Sequence, residues 1–429
     1  MLFLTRYLLL IAACFSGALV AKAENWPSWR GPSENNISQE KNIPLTWSQT
    51  ENVAWHVSLP DRGNSSPIIW QNKIFITQAI EKDNFRGLFC FDLKTGRQLW
   101  QKGVIYKESE PTHEANPYCA ASPVTDGKVV IAHFGTPGMY AYDLEGNELW
   151  HTELGPVTHV WGYASSPILY RDLCVVYQGP GTNSHLAAFH KSTGKKAWDV
   201  PLAEMSSKDR VDGFAGNPHG IMGSFSTPMT VDIGKRTELI FSFTEDLISF
   251  DPTSGKEYWR CKGLNPLIYT SPTFDDGILV TFGGYFGGAM AVKPGGSGDV
   301  TATHRLWQEP RLKKNFIGAG VIKDGFYYIL SGEGFVRCVE VKTGKLVYEE
   351  RLKGQGAKSD SWSAMVLNGD RIYVPNQSGE TFVLKAAPKF EVLGINSIPE
   401  FTNSTLAMGQ GAVILRTYKQ LWCLRDSSQ

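Results

Sequence analysis

The stretch Asp92-Leu93-Lys94-Thr95-Gly96-Arg97-Gln98-Leu99-Trp100 decides the fold, because it recurs along the chain. Asp143-Leu-Glu-Gly146-Asn-Glu-Leu-Trp150 is one residue shorter, and His190-Lys-Ser-Thr193-Gly194-Lys-Lys-Ala-Trp198 and Asp251-Pro-Thr-Ser254-Gly255-Lys-Glu-Tyr-Trp259 keep the full length. Glu340-Val-Lys-Thr343-Gly344-Lys-Leu-Val-Tyr348 exchanges the indole for a phenol, and a looser copy runs from Lys293 through a Gly-rich insertion to Trp307. The local physics is that of a hairpin: an apolar strand ends at an Asp able to cap the turn, and Gly supplies a positive φ. The next strand then carries an aromatic to where neighbouring repeats pack. A unit of roughly 40–60 residues repeated this often predicts a repeat architecture.

Working outward, the strand signals come in sets of four. A set opens with a small residue and a proline: Ser66-Pro67, Ser122-Pro123, Ser166-Pro167, Thr227-Pro228, Ser271-Pro272. An apolar strand follows, then a turn such as Asp126-Gly127, Asp276-Gly277, Asp324-Gly325 or Asn368-Gly369, all strong hairpin signals. A second β-rich strand, the run into the signature Asp and the Trp strand complete the set. Short-turn meanders repeated radially make a β-propeller. Eight openings are countable, near 64, 120, 164, 225, 269, 317, 362 and 404; the sixth and seventh carry Gly318-Ala-Gly320 and Trp362-Ser-Ala364 in place of Ser-Pro. Seven blades would result if one degenerate repeat were an insertion. The expected fold is therefore all-β, an eight-bladed propeller of four-stranded antiparallel blades. The last set, Leu415 to Leu424, lacks its fourth strand, while Asn52-Val-Ala-Trp55-His-Val-Ser-Leu looks like a fourth strand without its set. Joining them closes the ring and removes an exposed sheet edge.

The propeller domain is thus expected over residues 51–429. Residues 24–50 form an N-terminal extension, polar and loop-like, expected to lie across the surface pinned by Trp26, Trp29 and Trp47. Residues 1–23 have a basic start at Arg6, an apolar stretch from Leu8 to Val20 and a small-x-small site at Ala21-Lys22-Ala23, the pattern of a bacterial signal peptide. That reading places the protein outside the cytoplasm, periplasmic or extracellular; Ile11-Ala12-Ala13-Cys14 offers a rival lipobox reading, with Cys14 as an outer-membrane lipid anchor. Lys plus Arg and Asp plus Glu both number 42, so the electrostatic footprint of a nucleic-acid binder is missing. No apolar run after residue 23 is long enough to span a bilayer, and the chain is expected to be monomeric. Six cysteines follow the signal, and export permits disulfides. Cys90, Cys338 and Cys423 nevertheless sit where other repeats have Ala141, Ala188, Ser249 and Ala291, so they read as small buried side chains.

The signature with its Trp resembles the tryptophan-docking repeat of the pyrroloquinoline quinone (PQQ) propeller superfamily, which holds quinoprotein alcohol dehydrogenases and the BamB-like lipoproteins of outer-membrane assembly. The resemblance covers residues 52–424. The opening Trp26-Pro-Ser-Trp29-Arg-Gly-Pro32 with Asn52-Val-Ala-Trp55 resembles secreted bacterial PQQ-like repeat proteins. Two functions are implied: an exported non-catalytic scaffold for protein or ligand binding, or a quinoprotein-like oxidoreductase holding PQQ and Ca²⁺ in the central funnel. The family's dehydrogenases pair adjacent cysteines against the cofactor and hold Ca²⁺ with a Glu/Asn/Asp set. No two cysteines here are adjacent, so the resemblance favours the scaffold, with no cofactor, no metal and no catalytic residue expected.

Candidate binding residues come from the connections between blades, since function lives in sites grafted on folds. Two connections are long: Gly103–Cys119, with Tyr106, His113, Glu114, Asn116 and Tyr118, and Val200–Ser224, with Asp209, Arg210, Asp212, Asn217 and His219. A short one, Gly155–Tyr163, carries His159 and Trp161. Long ordered loops are commonly functional. The expectation is a shallow polar pocket of His113, Glu114, Asn116, His159, Trp161, Asp212 and His219, on the face of the blade-to-blade loops; the competing reading makes them solvated loop residues. Gly283-Gly-Tyr-Phe-Gly-Gly288 falls between the second and third strands of a set and reads as a hairpin loop rather than a phosphate cradle.

Overall fold

The computed structural model describes residues 24–202, 212–214 and 221–426. They form eight blades, each a four-stranded antiparallel meander, so both degenerate openings are genuine blades. Blade one is Ile68–Trp70, Lys73–Ile80, Phe85–Asp92 and Gln98–Ile105. The inner strands of blades two to seven begin at Val124, Ile168, Met229, Thr273, Val321 and Val366. Blade eight combines Ala407–Gly409, Ala412–Arg416 and Gln420–Leu424 with Val53–Ser58, so the N-terminal strand closes the ring as its period-two pattern and lone Trp imply. The second and third strands are buried almost throughout, and the core is a series of clusters between successive blades.

The repeated signature is the mortar. In each blade the outer strand carries a bulge, and the residue beyond it pairs with the small position on the third strand: Trp100 with Cys90, Trp150 with Ala141, Trp198 with Ala188, Trp307 with Ala291, Trp55 with Cys423. The bulge turns the indole sideways, onto the signature turn of the next blade. There its N–H donates to the carbonyl just after the first residue of the signature, Trp55 to Leu93 at 2.9 Å, Trp100 to Leu144 at 3.1 Å, Trp150 to Lys191 at 2.9 Å and Trp198 to Pro252 at 3.1 Å. The ring face lies on the turn glycine, where a Cβ on Gly194 would sit 2.6 Å from Trp150 and one on Gly255 2.6 Å from Trp198. Asp92 and Asp251 cap their turns through backbone N–H groups of Thr95 and Thr253, both at 2.8 Å. All six described cysteines are free and buried.

The junction of blades four and five departs from the repeat. The Gly-rich insertion of blade five displaces its turn, so Trp259 donates instead to the buried Glu238 carboxylate at 2.8 Å, and Gly298–Asp299 adds a short parallel strand to the edge of blade four. Trp259, Trp150 and Trp198 are buried as expected, whereas Trp100 keeps one edge in solvent.

The expectation that residues 24–50 lie over the surface is corrected: the segment crosses one end of the central channel. Trp26 pairs with Ile69 in both directions at 2.8 Å, and Pro27 accepts from Thr125. Arg30 donates to Pro272 and Thr273, Glu34 accepts from Thr230 at 2.7 Å, and Ile37–Ser38 pairs in parallel with Leu367 and Asn368. These partners lie on the inner strands of five different blades, whose backbone groups facing the channel have no further strand to bond. The polar extension satisfies them, which is why so hydrophilic a segment is ordered. Arg30 is buried, and burial brings its pKa down to about 10, so it stays charged at neutral pH.

Candidate functional site

With one end plugged, the channel is a blind funnel that opens on the face of the blade-to-blade connections. Its wall is built by the strand openings. The Ser66 N–H donates to the Ser122 hydroxyl at 2.8 Å, Ser122 to Ser166 at 2.9 Å, Ser166 to Thr227 at 2.9 Å and Thr227 to Ser271 at 2.8 Å. Thr405 donates to Ser66 at 2.9 Å and Ala364 to Thr405 at 3.0 Å. At six of the eight openings the small residue is therefore a hydroxyl that bonds one blade to the next around the channel. Blade six has Ala319 there, and its main-chain carbonyl takes over, accepting from Met365 at 3.0 Å.

Two residues before each of these positions, one side chain per blade faces the funnel: Asn64, Ala120, Ala164, Phe225, Tyr269, Ile317, Trp362 and Asn403. The order is not random. Asparagines stand on blades eight and one, and Phe225 and Tyr269 stand opposite them on blades four and five. Alanines on blades two and three leave room for residues from the connections. Trp161, His113 and Asn116 fill that room, Tyr285 comes in from the Gly-rich hairpin, and Trp29 of the crossing segment contributes from the plugged end. The Trp29 indole donates to the Thr405 hydroxyl at 3.3 Å, fixing it to the ring. The cavity measures about 430 Å³, within the ordinary size range of small-molecule sites.

The predicted residues divide. Asn116 donates to the carbonyls of Trp161 and Tyr163 at 2.8 and 3.1 Å, locking the first long connection onto the short one. Asn64 and Asn403 both donate to Ala115, at 2.8 and 3.2 Å, which docks the same loop on the closing seam. His113 lines the cavity with its ring edge-on to Trp161 at 6.5 Å. His159 is buried behind Trp161 rather than open to the cavity, in edge contact with Trp161 and Phe225 at 5.5 and 5.3 Å. Burial pulls its pKa down to about 4, so it is a neutral packing ring. Glu114 is exposed and outside the wall, and its carbonyl accepts from Arg62 at 2.9 Å. Asp212 is fully buried, accepts from Phe214 and Asn265, and does not reach the cavity. His219, Asp209, Arg210 and Asn217 lie outside the described residues, as do residues 1–23. Of the expected pocket, His113, Asn116 and Trp161 line the cavity among further aromatic residues, whereas Glu114, His159 and Asp212 do not. Phe225, Tyr269 and Trp362 were missed because their signal, the position two before each opening hydroxyl, appears only once the openings are known to face the channel.

No Asp, Glu, Lys or Arg occurs among the described residues lining the funnel. Among the described residues no group of three His, Cys, Asp or Glu is placed to hold a metal ion. PQQ carries several carboxylates, and burying them without a counter-charge is strongly disfavoured. The described wall therefore does not fit PQQ with Ca²⁺: Trp161 could offer a ring face, but nothing described supplies the counter-charge, the calcium ligands or the cysteine pair.

Comparison with known proteins places the molecule. A comparison with curated proteins finds no match. Among solved structures it is similar to BamB from Moraxella catarrhalis, with TM-score 0.61 and 12% identity over 88% of this chain and 98% of that one. It is similar also to a europium-containing methanol dehydrogenase, TM-score 0.66 and 11% identity over 91% and 89% of the two chains. A quinohemoprotein alcohol dehydrogenase from Comamonas testosteroni superposes with TM-score 0.64 and 10% identity over 93% of this chain and 80% of that one. Likeness at such identities shows the propeller and nothing of the chemistry. No helix among the described residues is long and apolar enough to cross a membrane. The family model described as outer membrane protein assembly factor BamB matches residues 47–220 and 244–388, and the chain belongs to that PQQ-repeat propeller family.

Proposed function

We propose that the protein is an exported, non-catalytic propeller of the bacterial envelope that holds a small ligand in its blind funnel. The observation carrying this is the wall itself: aromatic faces, hydroxyls and amides around a cavity of about 430 Å³, with no charged side chain among its described residues. Such a wall can bind, and no carboxylate, lysine or arginine among its described residues stands beside His113 to pair with it in acid–base or nucleophilic chemistry. The signal-like residues 1–23 and membership of the BamB-like family support the envelope location. The test is native mass spectrometry of the protein purified from its own envelope, beside Trp161→Ala. A small-molecule adduct present in the parent and lost in the variant supports the reading. Bare protein that instead co-purifies with protein partners, unaffected by the substitution, would replace it with a scaffold reading. The quinoprotein alternative predicts a raised melting midpoint on adding PQQ and Ca²⁺; the expected result is no shift.

A further inference from the structure

The distribution of groups around the funnel says what kind of ligand it suits. Asn64 and Asn403 stand at the ring seam, each donating its amide N–H to Ala115, with the Asn403 oxygen accepting from Gln377, and Phe225 and Tyr269 stand across the channel from them. Trp362 and Trp161 extend the aromatic sector on either side, each only partly buried although each points into a cavity. The rings meet at tilted angles, Phe225 and Tyr269 at 44° and Trp161 and Tyr269 at 41°, so they form a curved wall rather than a flat slot. The hydroxyls of Ser66, Ser122, Ser166, Thr227 and Thr405 also line the cavity. Each accepts a backbone N–H, and none donates its own proton to an acceptor among the described residues.

We propose that the funnel binds the end of a neutral saccharide chain, an inference that rests on the funnel being a ligand site. A pyranose is puckered and two-faced. Its C–H patch carries the positive edge that the negative face of an aromatic ring attracts, and its hydroxyls accept from O–H donors such as the serine and threonine hydroxyls of the wall. A charged ligand would lose its hydration with no counter-charge on the described wall. Because the crossing segment closes the far end, a polymer cannot thread through. Only a terminal unit enters, with the rest of the chain leaving over His113 and Tyr285 at the mouth.

The experiment is saturation-transfer NMR and tryptophan fluorescence on the full mature chain with maltose, cellobiose and N,N′-diacetylchitobiose, and with galacturonic acid as the charged counterpart. The expected result is saturable binding of at least one neutral disaccharide and none of the uronic acid. Trp362→Ala should weaken binding by about tenfold or more and Trp362→Phe should restore most of it. Circular dichroism melts of both variants verify folding, and Trp161→Ala provides a second aromatic probe. Saccharide binding unaffected by both alanine variants, or no binding of any of the three disaccharides to cooperatively folded protein, overturns the proposal. If an adduct from the native envelope depends on Trp161 but is not a saccharide, the ligand-site reading stands and this inference alone falls.

Discussion

The indole of Trp47 stacks on the ring of Tyr373, with centroids 6.2 Å apart and planes 6° from parallel. It does so at the junction of blades seven and eight, where Gly394 occupies the position that carries a docking aromatic in the other blades. The extension thus supplies from outside the repeat what the repeat lost. Its backbone is held there by Asn396, which accepts from Trp47 at 2.8 Å and donates to Leu45 at 3.0 Å. Trp47→Ala should therefore destabilise the ring by roughly 3–5 kcal/mol, measured by urea unfolding. An unchanged midpoint would mean that the seventh and eighth blades close without the indole.

The docking turns make a sharper, paired prediction. Gly194 has φ +69° and lies beneath Trp150, whereas Gly369 has φ +62° and open space around its missing side chain. Alanine at Gly369 should cost about 1 kcal/mol of backbone strain. Alanine at Gly194 carries the same strain and also lifts the indole, so about 3 kcal/mol is expected. Equal losses in thermal unfolding would remove the indole–glycine contact from the account.

Ring closure rests on a buried arginine. Arg416 of blade eight donates to the carbonyls of Ser65 and Thr77 at 3.1 and 2.9 Å and to Gln78 at 2.6 Å, all in or beside blade one. A Cβ at Gly63 would sit 1.9 Å from the guanidinium, so a larger residue there would push Arg416 off these acceptors. Arg416→Met keeps much of the volume but orphans three acceptors, and a loss of about 3 kcal/mol is expected. Limited proteolysis should then cut first near residues 52–60; protection equal to the parent's would contradict the seam's role.

His159 yields a pH prediction. Burial holds its pKa at about 4, below the ordinary value of 6.5. Between those values the unfolded chain binds more protons at this site than the folded one, so its contribution to stability falls as pH falls. From pH 6.5 to 5 this amounts to about 2 kcal/mol. Glu34, pushed up to about 7 chiefly by burial, works in the opposite direction, favouring the fold as pH drops from 7 towards 4.5. Comparing His159→Phe with the parent isolates the histidine: the variant should lose less stability on acidification. Parallel pH profiles would show that His159 titrates normally.

The eight blades, the closing strand, the turn capping and the buried Trp could be read from the sequence because each depends on residues a few positions apart. An Asp, a Gly and an aromatic at fixed spacing define a hairpin wherever they occur, and repetition of a hairpin with a sticky outer aromatic admits few arrangements other than a ring. The tertiary structure decided what lies inside that ring. Phe225, Tyr269 and Trp362 are far apart in sequence and belong to no common motif, and only radial closure brings the same position of each blade to one wall. The first long loop and the short one were placed on the correct face, yet His159 turned inward and Asp212 was buried, since side-chain direction in a loop is set by what the loop packs against. The same holds for residues 24–47. Their composition marks them as polar and irregular; that they plug the channel and fill the gap at Gly394 follows from unpaired backbone and unfilled volume that exist only after the blades have assembled.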